Sequence, residues 1–145
     1  MRKILLLLVT LSLSSQGWAA QRCPTCTYDV KINHVYDGDT FYFNWPGLPK
    51  ELNPMAIRLR GVDTPEMKGK CEREKVLAKR AKEFTVSQLN LSAGYVRIGD
   101  IKWDKYGGRI DADVYVGPQR ASLAPLLIRQ GLARPYEGGT KQPWC

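Results

Sequence analysis

Five short stretches of two-residue alternation and one long run of helical spacing divide this chain, a ratio that confines it to a small β structure carrying helices. Tyr28, Val30 and Ile32 alternate with Asp29, Lys31 and Asn33, predicting a half-buried strand to about Tyr36. Asp37-Gly38 signals a hairpin turn, after which Phe41-Tyr42-Phe43 resumes a strand. Trp45 to Pro54 holds three prolines and a glycine and reads as a loop; Ala56 to Val62 reads as a third strand. Glu72 to Leu91 has helical spacing, with Leu77, Ala78, Ala81, Phe84, Thr85 and Leu89 on one face and Arg73, Lys75, Lys79 and Lys82 outside it. Tyr95 to Ile98 predicts a fourth strand. From Arg109 to Val116, Ile110, Ala112, Val114 and Val116 alternate with polar residues and Tyr115, predicting a fifth. Ser122 is a candidate cap for a second helix whose first turn tolerates Pro125 and which Gly131 ends.

Three strands, a helix, two strands and a helix predict a small closed β-barrel with helices packed on it, an α+β arrangement. The five-stranded oligonucleotide-binding barrel has this strand count. At 145 residues, 43% apolar, the chain is long enough for one domain with a real core, and its composition is neither disordered nor collagen-like. It shows no repeat, low-complexity tract or long linker, so residues 20–145 are assigned to one domain.

Residues 1–19 read as a signal peptide. Arg2-Lys3 precedes an apolar stretch from Ile4 to Leu13, Ser14-Ser15-Gln16 follows, and Gly17-Trp18-Ala19 offers small residues for cleavage after Ala19. The stretch is shorter than the roughly 20 residues a bilayer span needs. The mature chain is therefore expected to be exported, periplasmic or extracellular, with no membrane span. Losing Arg2 and Lys3 lowers the excess of basic over acidic residues from eight to six. That balance favours an anionic partner: nucleic acid, phospholipid headgroups or polysaccharide. Export also makes the four cysteines candidates for two disulfides, with three connectivities. Cys23-Pro24-Thr25-Cys26 has the spacing of a redox motif but no strand-helix-strand around it, which favours a local Cys23–Cys26 bridge and leaves Cys71 for Cys145. A four-sulfur zinc site would need a second such knuckle.

The single histidine, His34, excludes zinc sites with several imidazoles and any paired-histidine mechanism, and is itself expected to be a plain strand residue. Chemistry must then come from carboxylates, guanidinium groups or an oxygen-held metal. Three charged segments fall at predicted turns and strand ends: Val35 to Thr40, Ile57 to Glu66, and Asp104 to Arg109. Alone, each has a bland explanation: a hairpin turn, acids facing a helix start, a hairpin tip. Together they supply hard anionic oxygens from Asp39 and Asp63, a Thr64 carbonyl held extended by Pro65, the phosphate-matching forks of Arg58 and Arg109, and a nearby Glu66. These are the parts of metal-assisted phosphodiester hydrolysis. Gly61 offers a bulge that would let Arg58 and Asp63 face the same way. Trp103 and Trp144 are expected to be packing residues.

In these motifs the sequence resembles the thermonucleases, the family typified by staphylococcal (micrococcal) nuclease. The match runs in order from Val35 to about Tyr136. It rests on Asp37-Gly38-Asp39-Thr40, Arg58-Leu59-Arg60-Gly61-Val62-Asp63-Thr64-Pro65-Glu66, Asp104-Lys105-Tyr106-Gly107-Gly108-Arg109 and Leu127-Ile128-Arg129-Gln130-Gly131-Leu132-Ala133. The resemblance implies the staphylococcal-nuclease type of oligonucleotide-binding barrel, Ca2+ dependence, and endonuclease cleavage of DNA and RNA towards 3′-phosphates. It implies that Asp39 and Asp63 ligate calcium by carboxylate and Thr64 by its carbonyl, with Asp37 behind them. Glu66 would act as general base or position water, Arg58 would contact phosphate, and Arg109 would stabilise the transition state and leaving oxygen. Lys105 and Tyr106 would line the nucleotide pocket, joined by Tyr136 near the second helix.

The chain departs from the type member at Gly108, an extra residue before Arg109 that the hairpin must absorb, and in the loops 45–54 and 67–70. The type member continues into a C-terminal helix where this chain has Cys145. A Cys71–Cys145 bridge, typically worth roughly 2–4 kcal/mol, is expected to replace part of that stabilisation. Two other classes compete. A non-catalytic barrel could grip single-stranded nucleic acid with Tyr28, Tyr36, Phe41, Tyr42 and Tyr106, but degenerate binders lose acids and arginines that are all present here. An envelope or adhesion protein would leave the three charged segments unexplained. Nothing in the sequence calls for a protein partner, and a monomer is expected.

Overall fold

The computed structural model describes residues 27–105 and 107–145; the predicted leader, Cys23, Cys26 and Tyr106 lie outside the described residues. In chain order the elements are β1 (Thr27–Val35), β2 (Thr40–Phe43), β3 (Met55–Leu59), β4 (Val62–Asp63), α1 (Glu72–Asn90), β5 (Tyr95–Trp103), β6 (Arg109–Val116), β7 (Ala121–Ser122), α2 (Leu123–Arg129) and β8 (Arg134–Pro135).

Alternation in sequence becomes alternation in burial along β6, where Ile110, Ala112, Val114 and Val116 point inward. β1 pairs antiparallel with β2 and β5, β2 with β3, and β5 with β6. The ring closes where β3 and β6 run parallel, with Ala56 opposite Arg109 and Leu59 opposite Ala112. This is the expected five-stranded closed barrel with two helices. Phe41, Phe43, Ile57, Leu59, Ile98 and Ile110 fill it and are almost wholly buried, each worth roughly 1.5–3 kcal/mol of transfer free energy. Leu123 and Leu127 of α2, and Ala81 and Leu89 of α1, join the same core.

Several boundaries move. The third strand, expected to run to Val62, breaks at Arg60-Gly61, where Gly61 takes φ +76°, a conformation that costs a residue without a side chain little. The break frees β4 to pair with β8, Val62 against Pro135 and Asp63 against Arg134. The fourth strand continues past Ile98 to Trp103. A register shift between Gly99 and Lys102, with Asp100 at φ +40°, interrupts the alternation that would have revealed it. The proline-rich loop contains a single 3-10 turn, Lys50–Leu52. Ser122 occupies the cap position of α2, but its side chain makes no capping hydrogen bond. Trp103 is 69% exposed and does not pack in the core, contrary to expectation, because it ends β5 beside the hairpin tip. His34 is a strand residue of β1, near the Tyr42 ring. α1 buries Ala78, Ala81, Thr85 and Leu89 as its spacing predicted, with Leu77 and Phe84 half-buried, and also buries Glu74. Cys71 and Cys145 form a disulfide. No helix among the described residues is long and apolar enough to cross a membrane.

Candidate functional site

The turn between β1 and β2 is closed by the Tyr36 N–H, which donates to the Thr40 carbonyl at 2.9 Å. α1 lies directly against it. A Cβ at Gly38 would stand 2.8 Å from the Ala81 Cβ and 2.9 Å from the Thr64 Cγ2, and Thr85 Oγ1 donates to the Gly38 carbonyl at 2.9 Å. Gly38 therefore serves close approach; it does not adopt the left-handed conformation that Asp-Gly hairpin turns commonly need. The helix seals the turn, and Asp37 and Asp39 are left only 3% and 4% exposed.

β3 brings Arg58 across from Thr40, and β4 brings Asp63, itself 4% exposed. Arg58 joins the two acids: Nη1 ion-pairs with Asp39, while Nη2 lies 3.6 Å from Asp63 Oδ1 and donates to the Val62 carbonyl at 3.2 Å. Asp39 and Asp63 thus face each other across a single guanidinium. Asp39 also accepts from the Thr64 N–H at 2.9 Å and the Thr40 hydroxyl at 3.1 Å. Asp37 Oδ1 accepts from the Asp39 N–H at 3.1 Å, behind the other two acids. Thr64 is buried, and among the described residues its hydroxyl finds no hydrogen-bond partner.

The charges are unbalanced. Burial first, and the neighbouring Asp39 charge second, push the Asp37 carboxyl up to about 7. Burial works against the Arg58 charge, but Asp39 and Asp63 outweigh it and hold the guanidinium above its ordinary range.

Glu66 stands at the open side, its side chain 50% exposed, on a loop organised by Glu74. Glu74 accepts from the Glu66 N–H at 3.3 Å and the Lys70 N–H at 2.9 Å. A Glu three residues after the Cys71 cap has the spacing of a capping box, the one sequence signal that could have found it. Two further residues were not anticipated as parts of the site. Lys141 Nζ lies 2.7 Å from Asp63 Oδ1 and 2.8 Å from Glu66 Oε1, and Trp144 Nε1 donates to Asp63 Oδ2 at 3.1 Å. Trp144 is thus buried as expected, but it also binds an acid of the site. Burial opposes the Lys141 charge, and the two carboxylates more than compensate, raising its pKa.

The third charged segment forms the β5–β6 hairpin. It absorbs the extra glycine: Gly107 and Gly108 both take positive φ, and the Asp104 N–H donates to the Arg109 carbonyl at 3.0 Å. The Arg109 guanidinium is held by Asp104 Oδ2, at 3.1 Å from Nε and 2.5 Å from Nη2, rather than by the Asp39–Asp63 cluster. Lys105 is exposed in the turn. Tyr136 is half-buried, its N–H donating to the Gly61 carbonyl at 3.0 Å and its hydroxyl to the Gly139 carbonyl at 2.8 Å. Asp37, Asp39, Arg58, Asp63, Thr64 and Glu66 are therefore brought together. Arg109 joins them through its strand alone, paired with Ala56 two residues before Arg58.

Among the described residues, one group of three metal-type side chains has ligand atoms within 4.8 Å of one another, Cys71, Glu74 and Cys145, and its sulfurs are committed to the disulfide. The site acids stand farther apart, spaced by the Arg58 and Lys141 cations. What the arrangement offers is buried hard oxygen, a fixed planar cation and an exposed carboxylate within one patch. The family model described as staphylococcal nuclease homologue matches residues 56–143, which include Arg58, Asp63, Thr64, Glu66, Arg109 and Lys141 but not Asp37, Asp39 or Trp144. A curated relative, described as a probable endonuclease of Schizosaccharomyces pombe, is 32% identical over 129 residues, covering 74% of this chain and 55% of the relative. The chain thus spans about half the length of that relative.

Proposed function

The chain belongs to the staphylococcal nuclease homologue family, and from that premise we propose that it is a Ca2+-dependent nuclease hydrolysing phosphodiester bonds of DNA and RNA towards 3′-phosphates. The observation that carries this reading is the convergence of two buried aspartates on one guanidinium with an exposed glutamate beside them. Asp39 and Asp63 would hold the ion with the Thr64 carbonyl. The fit is chemical: the donors are hard oxygens, and two buried carboxylates, Asp39 and Asp63, gathered around one guanidinium favour a further cation. Calcium bound there supplies charge for phosphate polarisation and lowers the pKa of water.

The chain's own groups do the rest. Arg58, charged at any working pH, presents a planar fork to phosphate oxygens. Glu66, exposed at the open side, takes or orients the proton of the attacking water. Arg109 stabilises charge on the departing oxygen, and its contact with Asp104 restricts its rotamers before substrate arrives. Lys105, Tyr106 and Tyr136 bind the flanking nucleotide. Export through the leader at residues 1–19 completes the proposal; the Cys71–Cys145 disulfide supports it, since such bonds persist in oxidising compartments.

Incubation of the mature chain with single-stranded DNA, with Ca2+ or with chelator, tests this. Cleavage is expected with Ca2+ alone. Glu66→Ala and Arg109→Ala should each lose roughly 10²- to 10⁴-fold in turnover while keeping the circular-dichroism spectrum of the parent. Equal digestion by all three proteins would remove the assigned roles, and tight binding without cleavage by the parent would establish a binding module instead.

A further inference from the structure

The segment after β8 turns back onto the site. Gly138 and Gly139 take φ of +102° and +89°, reversing the chain. Arg134 stacks its guanidinium on the Trp144 ring, 3.9 Å from Cζ to centroid, and donates to the Pro143 carbonyl at 3.0 Å. Trp144 in turn holds Asp63, and Cys145 is bonded to Cys71 at the start of α1. A residue four positions before that anchor has few places to go. Lys141 is delivered onto Asp63 and Glu66, its ammonium bridging two carboxylates from opposite sides of Thr64-Pro65.

We propose that Lys141 is a resident cation of this site, neutralising Asp63 and Glu66 until a divalent ion displaces it, so that it sets the affinity for that ion. This rests on the reading that Asp39 and Asp63 hold the ion. An ammonium already 2.7 Å from Asp63 Oδ1 repels a divalent cation approaching the same carboxylate, so the ion enters only if Lys141 moves or if the repulsion is overcome. Movement is open to it: the Lys141 side chain is 44% exposed, and its four-carbon stem can swing into water. Departure also uncovers Glu66, so the carboxylate assigned to proton transfer is released in the same event. The strap makes the competition effective, because a tethered cation acts at a high local concentration that no free monovalent ion matches.

Calorimetric titration of CaCl2 into the whole mature chain tests the assignment without reference to turnover. Lys141→Met keeps the apolar stem and removes the charge, and it is expected to bind Ca2+ roughly tenfold more tightly than the parent. Lys141→Arg, which keeps the charge, should stay close to the parent. Loosening the strap with Cys71→Ser and Cys145→Ser together should shift affinity in the same direction and add nothing to Lys141→Met; if that protein fails to fold, the Met and Arg variants decide alone. Equal or weaker binding by Lys141→Met overturns the resident-cation assignment and leaves the metal reading standing. A gain on strap loosening that adds fully to Lys141→Met also overturns it. Absence of binding in every variant removes the metal reading and this inference with it.

Discussion

Asp39 and Asp63 meet Arg58 in the interior, whereas Asp29 meets Arg97 and Arg120 at the surface, and the two groups hold opposite charge balances. At the surface one carboxylate, its side chain 51% exposed, faces two guanidiniums at 2.8–3.0 Å, and those cations hold it well below the usual carboxylate range. In the interior Asp37, Asp39 and Asp63 surround one arginine, and the two acids it touches have side chains only 6% exposed. The surface group is saturated and open to water, where ion pairs contribute little. The interior group is short of positive charge in a place where charge is costly, and it persists because Lys141 and, in our reading, a divalent ion complete it. Unbalanced burial, more than the number of ion pairs, separates the candidate site from the surface cluster.

The contrast can be broken most forcefully at Arg58. Replacing it with Met in chelator is expected to cost about 3–5 kcal/mol, because it leaves buried carboxylates without their shared partner. Chemical denaturation reads this, and a loss within the range of a surface substitution would mean that the acids are not a charge cluster. Asp37 sharpens the comparison with a smaller effect. An unfolded chain releases this proton near the ordinary carboxylate value of 3.8 and the folded chain near 7, so stability falls as pH rises through that window. Asp37→Asn keeps an oxygen for the Asp39 N–H and removes the charge. It is expected to stabilise the metal-free protein by up to about 4 kcal/mol at pH 8 and to change almost nothing near pH 2.5, where the Asp37 carboxyl is protonated in the folded and the unfolded chain alike. A destabilised variant at pH 8 would reverse the argument. Smallest of all is Asp29→Asn, expected to leave the denaturation midpoint unmoved at physiological ionic strength, with a slight loss appearing only at low salt.

Legibility followed the range of the interactions. Alternation showed β6 at its true length, since each residue's burial there depends on its immediate neighbours. It missed the end of β5, where a bulge around Asp100 breaks the period. Asp39, Arg58, Asp63 and Glu66 could be named because each sits inside a short charged motif, Asp37 to Thr40 or Arg58 to Glu66. The bond between Cys71 and Cys145 could be reached because the close spacing of Cys23 and Cys26 favoured a local bridge and left these two thiols over. Gly38 was found but for the wrong reason: its turn chemistry was visible, while the methyl that demands it belongs to Ala81, more than forty residues away on α1.

By itself the sequence determined a five-stranded barrel with two helices, the acids and arginines of the candidate site, and a cysteine pair able to bridge, because periodicity, donor type and residue counts need no knowledge of the chain's path. Tertiary structure alone decided that Asp37, Asp39 and Asp63 are buried together with too little positive charge. It also decided that Lys141 and Trp144 fold back onto them. Those facts depend on which atoms meet across dozens of residues, and neither the burial of a charge nor the identity of its partner exists until the chain has closed on itself.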